Sequence, residues 1–180
     1  MTVTKYKVYF AWDYEKEEAW LNEMSNKGYQ LVHVGIFKYV FEVDHSKRYI
    51  YRLELLDQLP SHPSSVDYMK FLEETGVECV STILRWAYFR KEAGENGFEL
   101  YSDIASRIKH YKRIQLLFIA VTPVNVMSII NMGNIYSRTH SLSALIATIL
   151  VVIIVLMLAT GLYRVSMQIA KLSHDKLFRE

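Results

Sequence analysis

Cysteine is nearly missing from this chain of 180 residues: Cys79 stands alone, so neither a disulfide framework nor a multi-cysteine metal site can form within it. A solitary cysteine fits a reducing cytoplasm. Glycine is sparse at 7 residues and proline sparser at 3. No glycine-rich phosphate loop and no nucleophile-elbow pattern occurs. The histidines His33, His45, His62, His110, His140 and His174 are scattered, without the paired spacing that builds a metal site. Composition therefore points to no cofactor, no metal and no catalytic set.

Charge is missing in two long places. Residues 114–137 (IQLLFIAVTPVNVMSIINMGNIYS) and 141–163 (SLSALIATILVVIIVLMLATGLY) contain no Asp, Glu, Lys or Arg. A helix needs about 20 apolar residues to cross a hydrocarbon core roughly 30 Å thick. Both stretches meet that length, and only Arg138 and His140 carry ionisable side chains between them. They read as a membrane hairpin in contact with the lipid bilayer. Arg107, Lys109, Lys112 and Arg113 precede the first stretch, and Arg164, Lys171, Lys176 and Arg179 follow the second. The positive-inside rule then places both termini in the cytoplasm and the short loop outside. No secretory leader is expected, since residues 1–12 (MTVTKYKVYFAW) hold no apolar run of adequate length.

Within the hairpin, Asn125, Ser128 and Asn131 recur every three residues on one face. Polar side chains in hydrocarbon face protein and hydrogen-bond across helices, which fits glue within the hairpin or between copies of the chain in a homo-oligomer. Ser143, Ala144, Ala147 and Thr148 offer small surfaces for close approach, and Pro123 is expected to kink the first helix. With no intramembrane charge, the hairpin is not expected to transport anything.

The region before the hairpin is of opposite charge. Residues 1–103 hold 12 Lys and Arg against 17 Asp and Glu, a net of −5. That balance excludes direct nucleic-acid binding through phosphate neutralisation. A basic decade, 104–113 (IASRIKHYKR), then sits against the first apolar stretch and suits anionic headgroups.

Periodicity predicts a strand at 5–11 and a helix from Asp13, with Glu15, Glu17 and Glu18 in its first turn and Trp20, Leu21 and Met24 on its apolar side. Those three acids read as a helix start rather than a paired-carboxylate site. Gly28 ends the helix. Strands follow at 29–35, 36–43 and 48–56. Residues 57–66 form a loop around Pro60 and Pro63, and a second helix spans about 64–75, burying Val66, Met69, Phe71 and Leu72. Strands at 77–84 and 85–91 complete the pattern. Gly28 and Gly76 lie 48 residues apart with similar flanks, WLNEMSNKG against YMKFLEETG, so the chain reads as strand–helix–strand–strand given twice. The expected fold class is α+β: a pseudo-duplicated antiparallel sheet of about six strands carrying two helices, followed by a two-helix transmembrane hairpin. Expected boundaries are 1–101 for the cytoplasmic α+β domain and 102–113 for a basic juxtamembrane helix. The spans run 114–134 and 142–163, joined by an extracytoplasmic loop at 135–141 and followed by a cytoplasmic tail at 164–180.

Aromatics are dense before the hairpin: residues 1–113 contain 11 Tyr, 6 Phe and 3 Trp. Strand propensity and core filling account for many of them. Flat rings also make rigid walls for a ligand groove. Arg52 and Glu54 are i, i+2 neighbours on an expected central strand, and buried charges there need pairing, for which Lys38 and Arg90 are the candidates. The sharper reading makes Glu54 a ligand-facing carboxylate beside Tyr and Trp.

The runs FAWDYEKEEAWLNEMSNKGYQLVHVGIFKYVFE, YIYRLELL, YMKFLEETGVECVSTILRWAYFRK and FELYSDIASRIKHYKRI together cover most of residues 5–114. They resemble a bacterial family of unknown function, number twenty-eight twelve. The resemblance implies an α+β domain that often ends in membrane helices, a genetic setting beside PadR-like repressors, and no established catalytic residues. The doubled layout is also similar in topology to GyrI-like small-molecule-binding domains, which implies a pocket between two halves, lined by aromatics and often holding a Glu. Trp12, Tyr51, Glu54 and Trp86 are the nearest candidates for such a ligand-binding set. The leading expectation is a membrane-anchored cytoplasmic sensing or interaction domain, regulatory and not an enzyme. It would bind a small amphipathic or cationic ligand, since net negative charge and many rings permit cation–π contacts, or a protein partner such as a repressor or transporter. The runner-up is a structural membrane scaffold or accessory subunit without a ligand. A hydrolase using Glu54 ranks third.

Overall fold

Two strand–helix–strand–strand passes build the first part of the chain, as seen in a computed structural model that describes residues 1–94, 97–101 and 103–177. The chain divides into two compact units, Met1–Ser102 and Asp103–Glu180. In the first unit, β1 (Thr2–Tyr6) leads through a 3-10 turn at Ala11–Asp13 into α1 (Tyr14–Asn26), then β2 (Tyr29–Gly35) and β3 (Lys38–Val43). The second pass is β4 (Tyr49–Leu55), α2 (Pro63–Glu74), β5 (Glu78–Ile83) and β6 (Trp86–Glu92). β1 ends earlier than the alternation of residues 5–11 predicts, because its pairing with β3 stops at Tyr6 opposite Lys38.

The strands form two antiparallel three-stranded sheets, ordered β1-β3-β2 and β4-β6-β5, rather than one sheet of six. The two sheets carry matching irregularities 48 residues apart. β2 is bulged between Leu31 and His33, and β5 between Cys79 and Ser81. A bulge displaces backbone donors and ends regular pairing. Side chains bridge the junction instead: the Val34 N–H donates to Ser81 Oγ at 3.1 Å, and Arg90 donates to the Leu31 carbonyl at 3.1 Å.

Helix α1 explains its own acids. Its buried residues are Tyr14, Glu17, Leu21, Met24 and Ser25, a helical stripe that takes in Glu17. The next stripe around closes the free edge of β4. Glu18 accepts from the Leu53 N–H at 2.7 Å, Asn22 accepts from the Tyr51 N–H at 2.8 Å, and Ser25 Oγ accepts from the Tyr49 N–H at 2.8 Å. Residues one helical turn apart thus answer every second strand residue, covering an edge that would otherwise invite pairing with another chain. Burial holds the Glu18 carboxyl up at about 7, although the Leu53 N–H pulls the other way. Gly28 follows α1 at φ 83° and Gly76 follows α2 at φ 80°, left-handed positions where glycine is favoured.

Two expectations change in α2 and its surroundings. Val66 and Phe71 are exposed, while Ser65 is buried and Tyr68, Met69 and Leu72 are half-buried, since the helix is rotated relative to the predicted face. Arg52 pairs with Glu99 at 2.6 Å and Arg90 with Glu78 at 2.8 Å. Arg90 also lies over the Tyr49 ring at 4.3 Å.

The second unit consists of α3 (Ile104–Thr139) and α4 (Leu142–Leu177). Asp103 caps α3 by accepting from the Ser106 N–H at 2.6 Å. Each helix is long and apolar enough to cross a membrane, and the apolar windows are only 6% buried. The core helix of a soluble protein would be mostly covered; these present Leu116, Val124, Ile153 and Leu156 outward. Residues 164–177, expected as a tail, continue α4. Ser102 and residues 178–180, which belong to the expected juxtamembrane helix and tail, lie outside the described residues. Less exposed residues recur at alternating intervals of 4 and 3 on each helix. They are Phe118, Thr122, Asn125 and Ile129 on α3, and Ala144, Thr148, Val151 and Val155 on α4. That spacing makes a narrow seam between two antiparallel helices. The polar face behaves differently from expectation: Asn125 donates to the Val121 carbonyl at 3.0 Å and Ser128 to Val124 at 2.9 Å, both within α3. A bond across the pair comes from Gln115, which donates to Ser166 Oγ at 2.9 Å.

Candidate functional site

The middle strand of each small sheet sends one tyrosine to the same carboxylate. Tyr39 of β3 donates its hydroxyl to Glu17 Oε1 at 2.7 Å, and Tyr88 of β6 donates to the same oxygen at 2.8 Å. Glu17 itself rises from α1 and is only 7% exposed. Among the described residues no hydrogen bond is made to its Oε2. Burying a carboxylate raises its pKa and hydrogen bonds to it lower it. Here burial dominates, and the Glu17 carboxyl is held above the usual carboxylate range while the two hydroxyls pull it back. Both phenols are pushed well up by burial and by the Glu17 charge, so they stay protonated donors.

Above this triad lies a cavity of about 180 Å³ whose walls include Tyr14, Glu17, Tyr39, Trp86 and Tyr88. Tyr14 and Trp86 meet with ring centroids 5.8 Å apart, and Trp20 meets Tyr39 edge-on at 4.9 Å. The rim carries Lys7, Phe10, Ile36, Phe37 and Leu84. The Lys7 ammonium sits over the Tyr9 ring at 5.0 Å and the Trp20 ring at 4.8 Å, an internal example of the cation–π contact such rings offer. The arrangement can seat a small polar or cationic group against a buried acid, with flat apolar walls on both sides.

Of the residues singled out from sequence, Trp86 lines this cavity and the other three do not. Trp12, on the 3-10 turn, stacks on the rim residue Phe10 at 4.6 Å. Tyr51 is fully buried in the core, and its hydroxyl accepts from the Leu31 N–H at 2.9 Å. Glu54 is buried too, and accepts from the Tyr68 hydroxyl at 2.7 Å between β4 and α2. The carboxylate of the cavity is instead Glu17, read from sequence as part of an acidic helix start. Its spacing from Tyr14, Leu21 and Met24 carried the signal: a charged residue inside an apolar helical stripe is a buried charge. Tyr39 and Tyr88 stand 49 residues apart, close to the 48-residue offset of the two glycines, which could have marked them as a pair.

A second concavity of about 520 Å³ lies between α2 and β5, lined by Val66, Met69, Lys70, Glu73 and Cys79 among others. Burial pushes the Cys79 thiol up to about 11, the behaviour of a packed cysteine rather than a reactive one. Among the described residues, no group of three or more His, Cys, Asp or Glu is arranged to hold a metal ion.

Neither the search of curated proteins nor that of solved structures yields a match. A family model does match, over residues 13–122, from the turn before α1 to the middle of α3, and so takes in Glu17, Tyr39, Trp86 and Tyr88. The chain therefore belongs to the family described as "Protein of unknown function (DUF2812)".

Proposed function

We propose that residues 1–101 form a sensing domain that binds a small amphipathic or cationic ligand in the Glu17 cavity while the α3–α4 hairpin holds it at the cytoplasmic face of a membrane. The observation that carries this reading is the convergence of Tyr39 and Tyr88, one from each sheet, on a buried carboxylate at the floor of an aromatic cavity. Buried acids with perturbed pKa values in a cleft are where ligand chemistry concentrates. The cavity is smaller than the roughly 300–1,000 Å³ of drug-sized sites, so it takes a headgroup-sized moiety rather than a whole large ligand. Equivalent bulges, glycines and strand orders support an origin of the domain by internal duplication, with the cavity at the join. A site between two halves suits a regulatory output, because a ligand touching both biases how they pack. The partner receiving that output would be a protein, of the repressor or transporter kind. Basic residues flanking both apolar helices support cytoplasmic termini, and a reporter active only outside the cytoplasm, fused after Glu180, should stay silent.

Benzyltrimethylammonium is the test ligand, applied to the full chain in lipid nanodiscs with unfolding followed by tryptophan emission. Saturation at about a hundred times Kd stabilises a protein by about 2.7 kcal/mol. The rise in Tm should vanish in Glu17→Gln and in Trp86→Ala. No rise in the parent chain, together with recovery of a stoichiometric membrane partner, would replace the sensor by the scaffold reading.

A further inference from the structure

Three apolar side chains of the cavity rim stand in water rather than in the core. Ile36 and Phe37 form the two-residue turn between β2 and β3, and Leu84 opens the corresponding turn between β5 and β6. They are 75%, 56% and 81% exposed. Phe37 adopts φ 58° and Leu84 φ 54°, left-handed backbone that is costly for any residue with a Cβ and is usually given to Gly or Asn in such turns. Two bulky apolar residues in that conformation, both facing water, are unfavourable on two counts. Strain of this kind collects where a surface is used. Tyr6, at the end of β1, and Val8 after it are 76% and 53% exposed. Two lysines stand beside the first of these turns. Lys38 follows Phe37 directly, and the Lys7 N–H donates to the Phe37 carbonyl at 3.1 Å. The acid lining the cavity, Glu17, is buried and faces the tyrosines.

Apolar tips flanked by lysines match the interface of a bilayer containing anionic lipid, where bulky side chains enter the acyl boundary and basic ones meet the headgroups. A bilayer is also the surface that a chain ending in two exposed apolar helices keeps within reach. We infer that the Ile36–Phe37 and Leu84 turns are a second, reversible membrane-docking device, which dips the mouth of the Glu17 cavity into the interface of an anionic bilayer. This rests on the reading of α3–α4 as a membrane hairpin.

The test places a single NBD-labelled cysteine at Leu84 in the full chain, reconstituted into nanodiscs of phosphatidylcholine alone or with phosphatidylglycerol. Native Cys79 can stay, because its half-buried thiol is held up at about 11 and labels slowly. A probe at Ile153 marks the hairpin and a probe at Lys70, an exposed residue of α2, marks a surface that does not line the Glu17 cavity. Docking predicts blue-shifted emission at position 84 that doxyl-labelled lipid quenches, strongest with phosphatidylglycerol, while position 70 stays unquenched. Phe37→Asp should abolish the quenching, and Lys7→Gln and Lys38→Gln should each weaken docking about fivefold, the contribution of one basic residue near an anionic surface. Unfolding by tryptophan emission confirms that each variant is folded, and a folded Phe37→Asp that still quenches overturns the inference. Quenching at 153 without quenching at 84 also overturns it and leaves the hairpin intact. Absence of quenching at 153 overturns both. A blue shift at 84 that ignores quenching lipid and grows with the number of chains per disc would assign the turns to a second copy instead, and would also overturn it.

Discussion

Replacing Tyr88 by Phe removes one hydroxyl and leaves the ring, so it probes the Glu17 triad with little change in packing. The bond lost is an O–H donated to a carboxylate at 2.8 Å inside the domain. Hydrogen bonds to charged groups contribute about 1.5–3 kcal/mol. Taking about 2 kcal/mol, and about 4–8 °C per kcal/mol for a domain of this size, Tm should fall by roughly 8–16 °C. The pH dependence gives a second handle. Burial already holds the Glu17 carboxyl above its ordinary value, and each hydroxyl counters that. Losing one raises the folded-state value further. A carboxyl raised on folding takes up a proton as the chain folds, so its contribution to stability falls as pH rises from the ordinary carboxylate value through the folded one. The Tyr88→Phe deficit should therefore be larger near about pH 8 than near about pH 5. The assay is thermal unfolding of the full chain in nanodiscs, read by tryptophan emission. Trp12, Trp20 and Trp86 all belong to Met1–Ser102, so the signal reports that unit alone. A Tm unchanged in Tyr88→Phe, or a deficit that shrinks as pH rises, would refute the buried-carboxylate account of the cavity.

Glu18→Gln keeps an acceptor for the Leu53 N–H while removing a charge whose folded pKa is about 7 against an ordinary 4.5. The variant should match the parent near pH 4.5 and be more stable above pH 7, by up to about 3 kcal/mol. Equal pH profiles for the two proteins would show that the carboxylate is well solvated. Gly76→Ala should cost about 1–2 kcal/mol from its φ of 80°, since the nearest atom to a new Cβ is Lys91 Cε at 4.0 Å. Gly28→Ala should cost more, because its Cβ would fall on the His45 ring. Adding His45→Ala should remove the excess, and a persisting gap in denaturant midpoint would place the clash in the backbone.

Much of this protein was legible before any coordinates. Uncharged runs at 114–137 and 141–163 specify two apolar helices because helix length and hydropathy are local properties. The α+β class and the doubled strand–helix–strand–strand order were legible too, through alternation, helical stripes and stop glycines. What happens between the two halves is not local. One sheet or two depends on how the β2 and β5 edges meet, where the ladders are bulged at Leu31/His33 and Cys79/Ser81. Which carboxylate lines the aromatic cavity is decided in the same way. The helical stripe Tyr14, Glu17, Leu21 and Met24 marks Glu17 as buried, but packing sends Glu54 to Tyr68 and Glu17 to Tyr39 and Tyr88. Local periodicity says which side of a helix or strand is apolar. Which tyrosine reaches which acid, and which apolar turn is left in water with a strained backbone, is decided by long-range packing that no short window of sequence contains.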